Sequence, residues 1–192
     1  MSTEDEHLGG GPVVEELRRR KLEKVYGSFD ADRDGVIDEL DITALAQVWC
    51  DTYDLPPYSE HWRSVHLHAH RMFRAMPGRP NVEGVEQVTV EDWVAWGDDP
   101  GFADFVEASA IPFSMAVFAA ADKDRDGRIT ATEMMAAQMR GGMSEEEARR
   151  AFTMLDTDRD GYVTTDEYVQ AARAFYLSDD PAEAGNSIAG DV

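Results

Sequence analysis

Three times along the chain, aspartates alternate with other residues and run into a glycine. The runs are Asp30-Ala31-Asp32-Arg33-Asp34-Gly35, Asp122-Lys123-Asp124-Arg125-Asp126-Gly127 and Asp156-Thr157-Asp158-Arg159-Asp160-Gly161. Two residues after each glycine stands an Ile or Val (Ile37, Ile129, Val163), and four residues later an acid (Asp41, Glu133, Glu167). Helix-like sequence lies on both sides of each run, and the last two runs begin 34 residues apart. A repeat of this kind fixes the architecture before any single element is considered. Between the first two runs, Val88-Thr89-Val90-Glu91-Asp92-Trp93 matches the end of the repeat and marks a worn copy at Asn81 to Asp92. Counted along the chain, that copy is loop two, and the runs after it are loops three and four.

Alternate carboxylates at loop positions 1, 3 and 5 converge once the chain turns sharply, and glycine at position 6 makes that turn. Position 7 offers a backbone carbonyl, position 9 a water-bridged group, and an acid at position 12 closes the sphere. An all-oxygen set of this size selects Ca²⁺ or Mg²⁺ over metals that favour nitrogen and sulfur. The spacing D-x-D-x-D-G-x₅-E is that of the EF-hand loop, and loops three and four meet it in full. The candidate ligands are Asp122, Asp124, Asp126, the carbonyl of Arg128, Thr130 and Glu133 in loop three. Loop four offers Asp156, Asp158, Asp160, the carbonyl of Tyr162, Thr164 and Glu167. Loop one offers Asp30, Asp32, Asp34, the carbonyl of Val36, Asp38 and Asp41. Because loop one ends in the shorter Asp41, it is expected to admit Mg²⁺ as well as Ca²⁺. Loop two has Val85 at position 5, Glu86 in place of glycine, and Pro80 just before it, so no metal is expected there. Ile37, Val88, Ile129 and Val163 fall at position 8, which predicts two short bridges, loop one with loop two and loop three with loop four.

Strand-like alternation is almost absent elsewhere, so the fold class is all-α. Helices are predicted over Glu15 to Phe29, Glu39 to Thr52, Ser59 to Met76 and Thr89 to Trp96, then at about 102–121, 131–140, 144–155 and 165–177. Asp98-Asp99-Pro100-Gly101 is the predicted boundary between an N-terminal lobe (15–100) and a C-terminal lobe (101–178), with tails at 1–14 and 179–192.

The arrangement resembles the sarcoplasmic calcium-binding protein family and bacterial calerythrin, across residues 15–185. The carrying features are the loops, the inactive second loop, the long segment around the second and third helices, and the ending Phe175-Tyr176-Leu177-Ser178-Asp179-Asp180-Pro181. The resemblance implies four EF-hands in two lobes and a closing segment that packs back into a compact body.

Acidic residues number 39 against 18 basic, for a formal charge of −21. Such a surface repels phosphate backbones and anionic lipid, so neither nucleic acid nor a membrane is expected as a partner. The basic run Arg18-Arg19-Arg20-Lys21 is read as a solvated helix face, with Glu15–Arg19 and Glu16–Arg20 at pairing distance. No apolar run approaching the length of a bilayer span is read in the chain. Met1 to Gly11 is polar and acidic and lacks the apolar core of a secretory signal. A single cysteine, Cys50, forms no intrachain disulfide, and a cytoplasmic monomer is expected. The 15 Arg against 3 Lys follow the codon bias of GC-rich genomes, which suggests a bacterial source.

His66 and His70 share a helix flank, while His61 and His68 fall on the other. Two such ligands without a third make a poor zinc site. Six Met from Met115 to Met154 suit either a core or an adaptable groove, and a core is favoured. The aromatics Trp49, Tyr53, Tyr58, Trp62, Trp93 and Trp96 are read as packing, not as a ligand cavity. No nucleophile elbow, phosphate loop or Cys–His arrangement points to an enzyme. The expected function is a cytosolic calcium buffer or signal modulator holding three divalent ions. The alternatives are a calcium sensor that presents a groove to a partner protein and a photoprotein-like carrier of a small apolar molecule.

Overall fold

Helix starts in this chain are set by side chains that accept from backbone N–H groups left free in the first turn. Ser59 caps one helix through Trp62 N, Thr89 another through Asp92 N, and Ser144 and Thr164 form reciprocal capping boxes with Glu147 and Glu167. In the computed structural model, which describes residues 12–81, 83–140 and 143–188, the helices and strands follow in this order. They are α1 (Pro12–Phe29), β1 (Val36–Ile37), α2 (Glu39–Thr52), α3 (Glu60–Arg74), β2 (Arg79–Pro80), β3 (Glu86–Thr89) and α4 (Val90–Trp96). There follow α5 (Gly101–Phe105), a π-helical turn (Val106–Ala110), α6 (Ile111–Ala121), β4 (Arg128–Thr130), α7 (Ala131–Arg140), α8 (Glu145–Leu155), β5 (Tyr162–Thr164), α9 (Thr165–Leu177) and a closing 3₁₀ turn (Ala184–Ser187). The predicted helices stand within a few residues of these bounds. The tail Met1 to Gly11, the last four residues and the side chain of Glu15 lie outside what the structure describes.

The loops pair at position 8 as the spacing requires: Ile37 opposite Val88, and Ile129 opposite Val163, both antiparallel. All four are buried, so each bridge is a plug of the core as well as a link between loops. The N-terminal bridge gains a third strand that was not anticipated. Arg79 and Pro80 pair with Gln87 and Glu86, giving the order β1-β3-β2. The worn loop is thus a β-hairpin.

One core cluster draws on both sides of the predicted boundary. Leu22, Phe29, Ile42, Val65 and Trp93 pack with Phe102, Phe105, Phe113, Val117 and Phe175. A smaller cluster, with Phe118, Ile129, Met134, Phe152, Leu155 and Val163, sits beneath loops three and four. Ile188 packs against both clusters. Lys21, buried in α1, donates to Ser178 O at the end of α9 (2.8 Å) and lies over the Phe175 ring. The tryptophan cluster is filled by rings on rings: Trp93 meets Phe29, Trp96, Phe102 and Phe105 edge-on.

One expectation needs correction. The continuous helix Gly101–Ala121 is long and apolar enough to cross a membrane by length and composition. Asp104 and Glu107 break up its apolar run, which hid it in the sequence. Phe102, Phe105, Val106, Phe113, Ala116 and Val117 place it in the centre of the larger core.

Candidate metal centre

Each acid loop is wound by its own carboxylates. Asp30 accepts from Gly35 N (3.1 Å), Asp32 from Asp34 N (3.1 Å) and Asp34 from Val36 N (2.9 Å). Loop three repeats the pattern, with Asp122 on Gly127 N (2.9 Å), Asp124 on Asp126 N (3.3 Å) and Asp126 on Arg128 N (2.8 Å). Loop four repeats it again through Asp156, Asp158 and Asp160. Two residues per loop take left-handed backbone: the position-6 glycines, with φ of 90°, 81° and 90°, and the position-4 arginines Arg33, Arg125 and Arg159, with φ of 61°, 61° and 62°. A side chain at position 6 would be strained there, which explains the glycine. In loop two, position 4 is Gly84 with φ 80°, but position 6 is Glu86 in a strand, so the second bend is missing.

This winding brings acid oxygens together in three places. Among the described residues, Asp30, Asp32 and Asp41 converge in loop one, Asp122, Asp124 and Asp126 in loop three, and Asp156, Asp158 and Glu167 in loop four. Each trio offers ligand atoms within 4.8 Å of one another. Asp30, Asp122 and Asp156, the position-1 residues, are buried. Asp30 Oδ1 is buried with no hydrogen-bond partner, a state that costs several kcal/mol unless a cation meets it. A hard divalent ion fits this donor set.

The other candidate ligands stand around these trios. Asp34 lies outside the loop-one trio, and Asp160 is drawn to Arg128, its Oδ2 3.6 Å from Nη1. The position-9 side chains cap the exiting helices: Asp38 accepts from Leu40 N (2.7 Å), and Thr130 and Thr164 accept from Glu133 N and Glu167 N. Val36, Arg128 and Tyr162 each take a place in a bridge strand.

The closing acids differ. Asp41 reaches back across loop one, with Oδ1 accepting from Ala31 N (3.0 Å) and Oδ2 from Asp38 N (2.9 Å). Glu167 does the same in loop four: Oε1 accepts from both the N–H and the hydroxyl of Thr157, and Oε2 from both groups of Thr164. Burial raises the Glu167 pKa, but these bonds outweigh it and bring it down to about 2. Among the described residues, Glu133 accepts only from Thr130, through Oε2, and stays outside the loop-three trio. The Thr157 hydroxyl was missed in the sequence, where position 2 carries no pattern. In loop two, Asn81 Oδ1 accepts from Glu83 N and Val85 N to close the hairpin, and Asp92 pairs with Arg79.

Comparison with known proteins agrees with this geometry. Residues 114–180 match the EF-hand domain pair. Among curated proteins, none matches this sequence. A Streptomyces coelicolor calcium-binding protein, described for prokaryotic calcium-mediated regulation, is 28% identical and superposes with a TM-score of 0.69, covering 83% of this chain and 98% of its own. The amphioxus sarcoplasmic calcium-binding protein is 15% identical with a TM-score of 0.70, over 92% of this chain and 98% of that one. The Renilla muelleri coelenterazine-binding protein is 19% identical with a TM-score of 0.69, over 95% and 99%. The chain is similar to the EF-hand superfamily in fold and carries three acidic loops of calcium-binding type.

Proposed function

We propose that this protein binds three calcium ions, one in each acid loop, and works as a cytoplasmic calcium buffer or signal modulator. The observation that carries the reading is the threefold convergence of carboxylate oxygens, with Asp30 Oδ1 buried and unpartnered inside one of them. The position-1, 3 and 5 aspartates, the position-7 carbonyls and Asp41, Glu133 and Glu167 would hold the ions. Asp38, Thr130 and Thr164 would cap the exit helices and align bridging water. Loop one is the place for Mg²⁺ when calcium is scarce. Loop two would serve as a metal-free partner for loop one.

The shared core, and Ile188 seated on both clusters, support a body that tightens on binding, which suits a buffer. The likeness to the Streptomyces protein supports a regulatory role as the second reading, and the exposed Met139 and Met154 are where a calcium-opened groove would begin. Against the apolar carrier, the tryptophans are packed on neighbouring rings. Calorimetry with calcium, with and without millimolar Mg²⁺, tests the reading. Three sites are expected, one of them weakened by Mg²⁺; fewer than three would overturn it. A several-fold rise of hydrophobic-dye fluorescence with calcium would favour the sensor.

A further inference from the structure

The packing of α2 on α3 supplies what the histidine pair lacks in the sequence. Glu39, the first residue of α2, places Oε1 3.5 Å from His70 Nδ1. His66 lies one turn before His70 on α3, with ring centroids 6.4 Å apart and planes 21° apart. We propose that Glu39, His66 and His70 form a binding site for one transition-metal dication of the Zn²⁺ or Cu²⁺ type, which shares no ligand with the three carboxylate trios.

The geometry of the three side chains carries this. Two ligands about 2.1 Å from a tetrahedral ion stand about 3.4 Å apart, and the 3.5 Å gap between Glu39 and His70 has that size. His66 Nε2 is buried with no hydrogen-bond partner, which leaves an imidazole nitrogen unsatisfied. Burial lowers the His66 pKa, with His70 adding to the effect, a direction that favours the neutral imidazole ligation needs. The three side chains line one open pocket of about 460 Å³ with Leu67, Arg71 and Arg74. Thr43 Oγ1, 3.5 Å from His70 Nε2, is placed to orient the ring from its other side.

Nitrogen donors are what distinguish this site. Imidazole suits Zn²⁺, Cu²⁺ and Ni²⁺, whereas the loops present oxygen to Ca²⁺ and Mg²⁺. The three ligand atoms do not yet converge as those of the loops do, so binding turns the His66 ring toward Glu39. That movement takes His66 off the Trp62 ring, whose centroid is now 3.9 Å away, and makes Trp62 a reporter. Arg71 and Arg74 work against a cation here and keep the affinity modest.

The test is run on protein whose loops are already saturated with Ca²⁺, so that an added ion cannot occupy them. Zn²⁺ is titrated calorimetrically, and Cu²⁺ while tryptophan fluorescence is followed. One ion per chain is expected. His66→Ala and His70→Ala should each weaken it at least about tenfold, since loss of even an outer-shell partner costs roughly ten- to a hundredfold. Glu39→Gln should weaken it similarly, and the His61→Ala/His68→Ala double variant should leave it intact. Trp62→Phe should remove most of the Cu²⁺ quenching. Calcium stoichiometry and helical circular dichroism check each variant's fold, and His66→Gln replaces His66→Ala if the latter misfolds. Absence of any ion beyond the calcium complement, or an affinity indifferent to His66, overturns the proposal.

Discussion

Arg79 Nη2 lies 2.7 Å from Asp92 Oδ1, so the second hand carries a guanidinium against the acid that, in the other hands, closes the loop. Asp92 also accepts from the Thr89 hydroxyl (3.1 Å), and β2 fixes Arg79 beside Gln87. The hand keeps the bridge and the exit helix, while a cation from its own chain offsets the closing charge. Calcium stoichiometry should therefore stop at three. Arg79→Ala should leave it there, because Val85 and Glu86 still deny the loop its third carboxylate and its second bend. A fourth ion bound through Asn81, Glu83 and Asp92 would refute this.

Thr157 should set the strength of loop four. Its hydroxyl donates to Glu167 Oε1 at 2.8 Å, in addition to its backbone N–H, and so holds the closing carboxylate over the loop. The hydroxyl bond to a charged group is worth roughly 1.5 kcal/mol. Thr157→Ala keeps the N–H and should cost loop four about tenfold in calcium affinity, and Thr157→Ser should restore most of it. Loop three, with Lys123 at the same position, should not respond. Site-resolved titration by NMR separates the two loops.

Tyr26 links loop one to its metal-free partner. Its hydroxyl lies 2.9 Å from Gly35 O and 2.8 Å from Val88 O, and the side chain is buried. Tyr26→Phe removes the single O–H that these two carbonyls share in a buried place, a loss of about 1–3 kcal/mol. Denaturant unfolding of the calcium-free protein should show that loss, and loop one should bind calcium more weakly. An unchanged midpoint would mean that water replaces the hydroxyl.

Glu107, in the π-helical turn, meets Arg173 of α9, which donates to Oε2 from Nη2 (2.9 Å). The hydrogen bond from Arg173 outweighs burial and, helped by the charge of its guanidinium, lowers the Glu107 pKa from 4.5. A carboxylate lowered in the fold contributes stability above its ordinary pKa and loses it as pH falls through the folded value. Calcium-free protein should therefore lose stability below about pH 4.5 through this pair, and Glu107→Gln should flatten that part of the curve. Both groups are half-exposed, so the effect should stay under about 1 kcal/mol. A slope identical in the variant would count against it.

What could be read in advance follows a physical line. Loop residues act on their own backbone within a few positions, as Asp30 does on Gly35, so spacing alone gave the loops and the pairing of Ile37 with Val88. The long-range partners could not be read. Glu39 reaches His70 only because α2 packs on α3, the strand at Arg79–Pro80 exists only because Gln87 lies beside it, and the π-helical turn at Val106–Ala110 has no signal in residue type. The helix at about 102–121 was legible, but its span-like apolar length was not, because Asp104 and Glu107 interrupt the apolar stretch while its buried face stays continuous.

Asp41 should make loop one the magnesium-tolerant site. Loops three and four end in glutamate, whose extra methylene allows both oxygens to reach an ion, and Ca²⁺ takes six to eight ligands where Mg²⁺ demands six in an octahedron. Asp41 does reach the position of Asp30 and Asp32 despite its shorter side chain. It gets there with its oxygens divided: Oδ1 accepts from Ala31 N and Asp32 N on the loop side, and Oδ2 from Asp38 N on the helix side. The Oδ2 bond completes the capping box of α2, so turning both oxygens to the ion would give up the bond from Asp38 N, at about 1 kcal/mol, while Asp38 still caps the helix. One oxygen is the cheaper arrangement, and it lowers the coordination number toward the octahedral six. Asp38 adds a further negative charge at the rim, which draws in either ion without choosing between them. Asp41→Glu should supply the missing reach and shift the Ca²⁺/Mg²⁺ preference of loop one toward calcium, leaving loops three and four as they were. Competition titrations with millimolar Mg²⁺ decide it: a preference unchanged in the variant, or a wild-type loop one blind to Mg²⁺, would show that side-chain length does not set the choice.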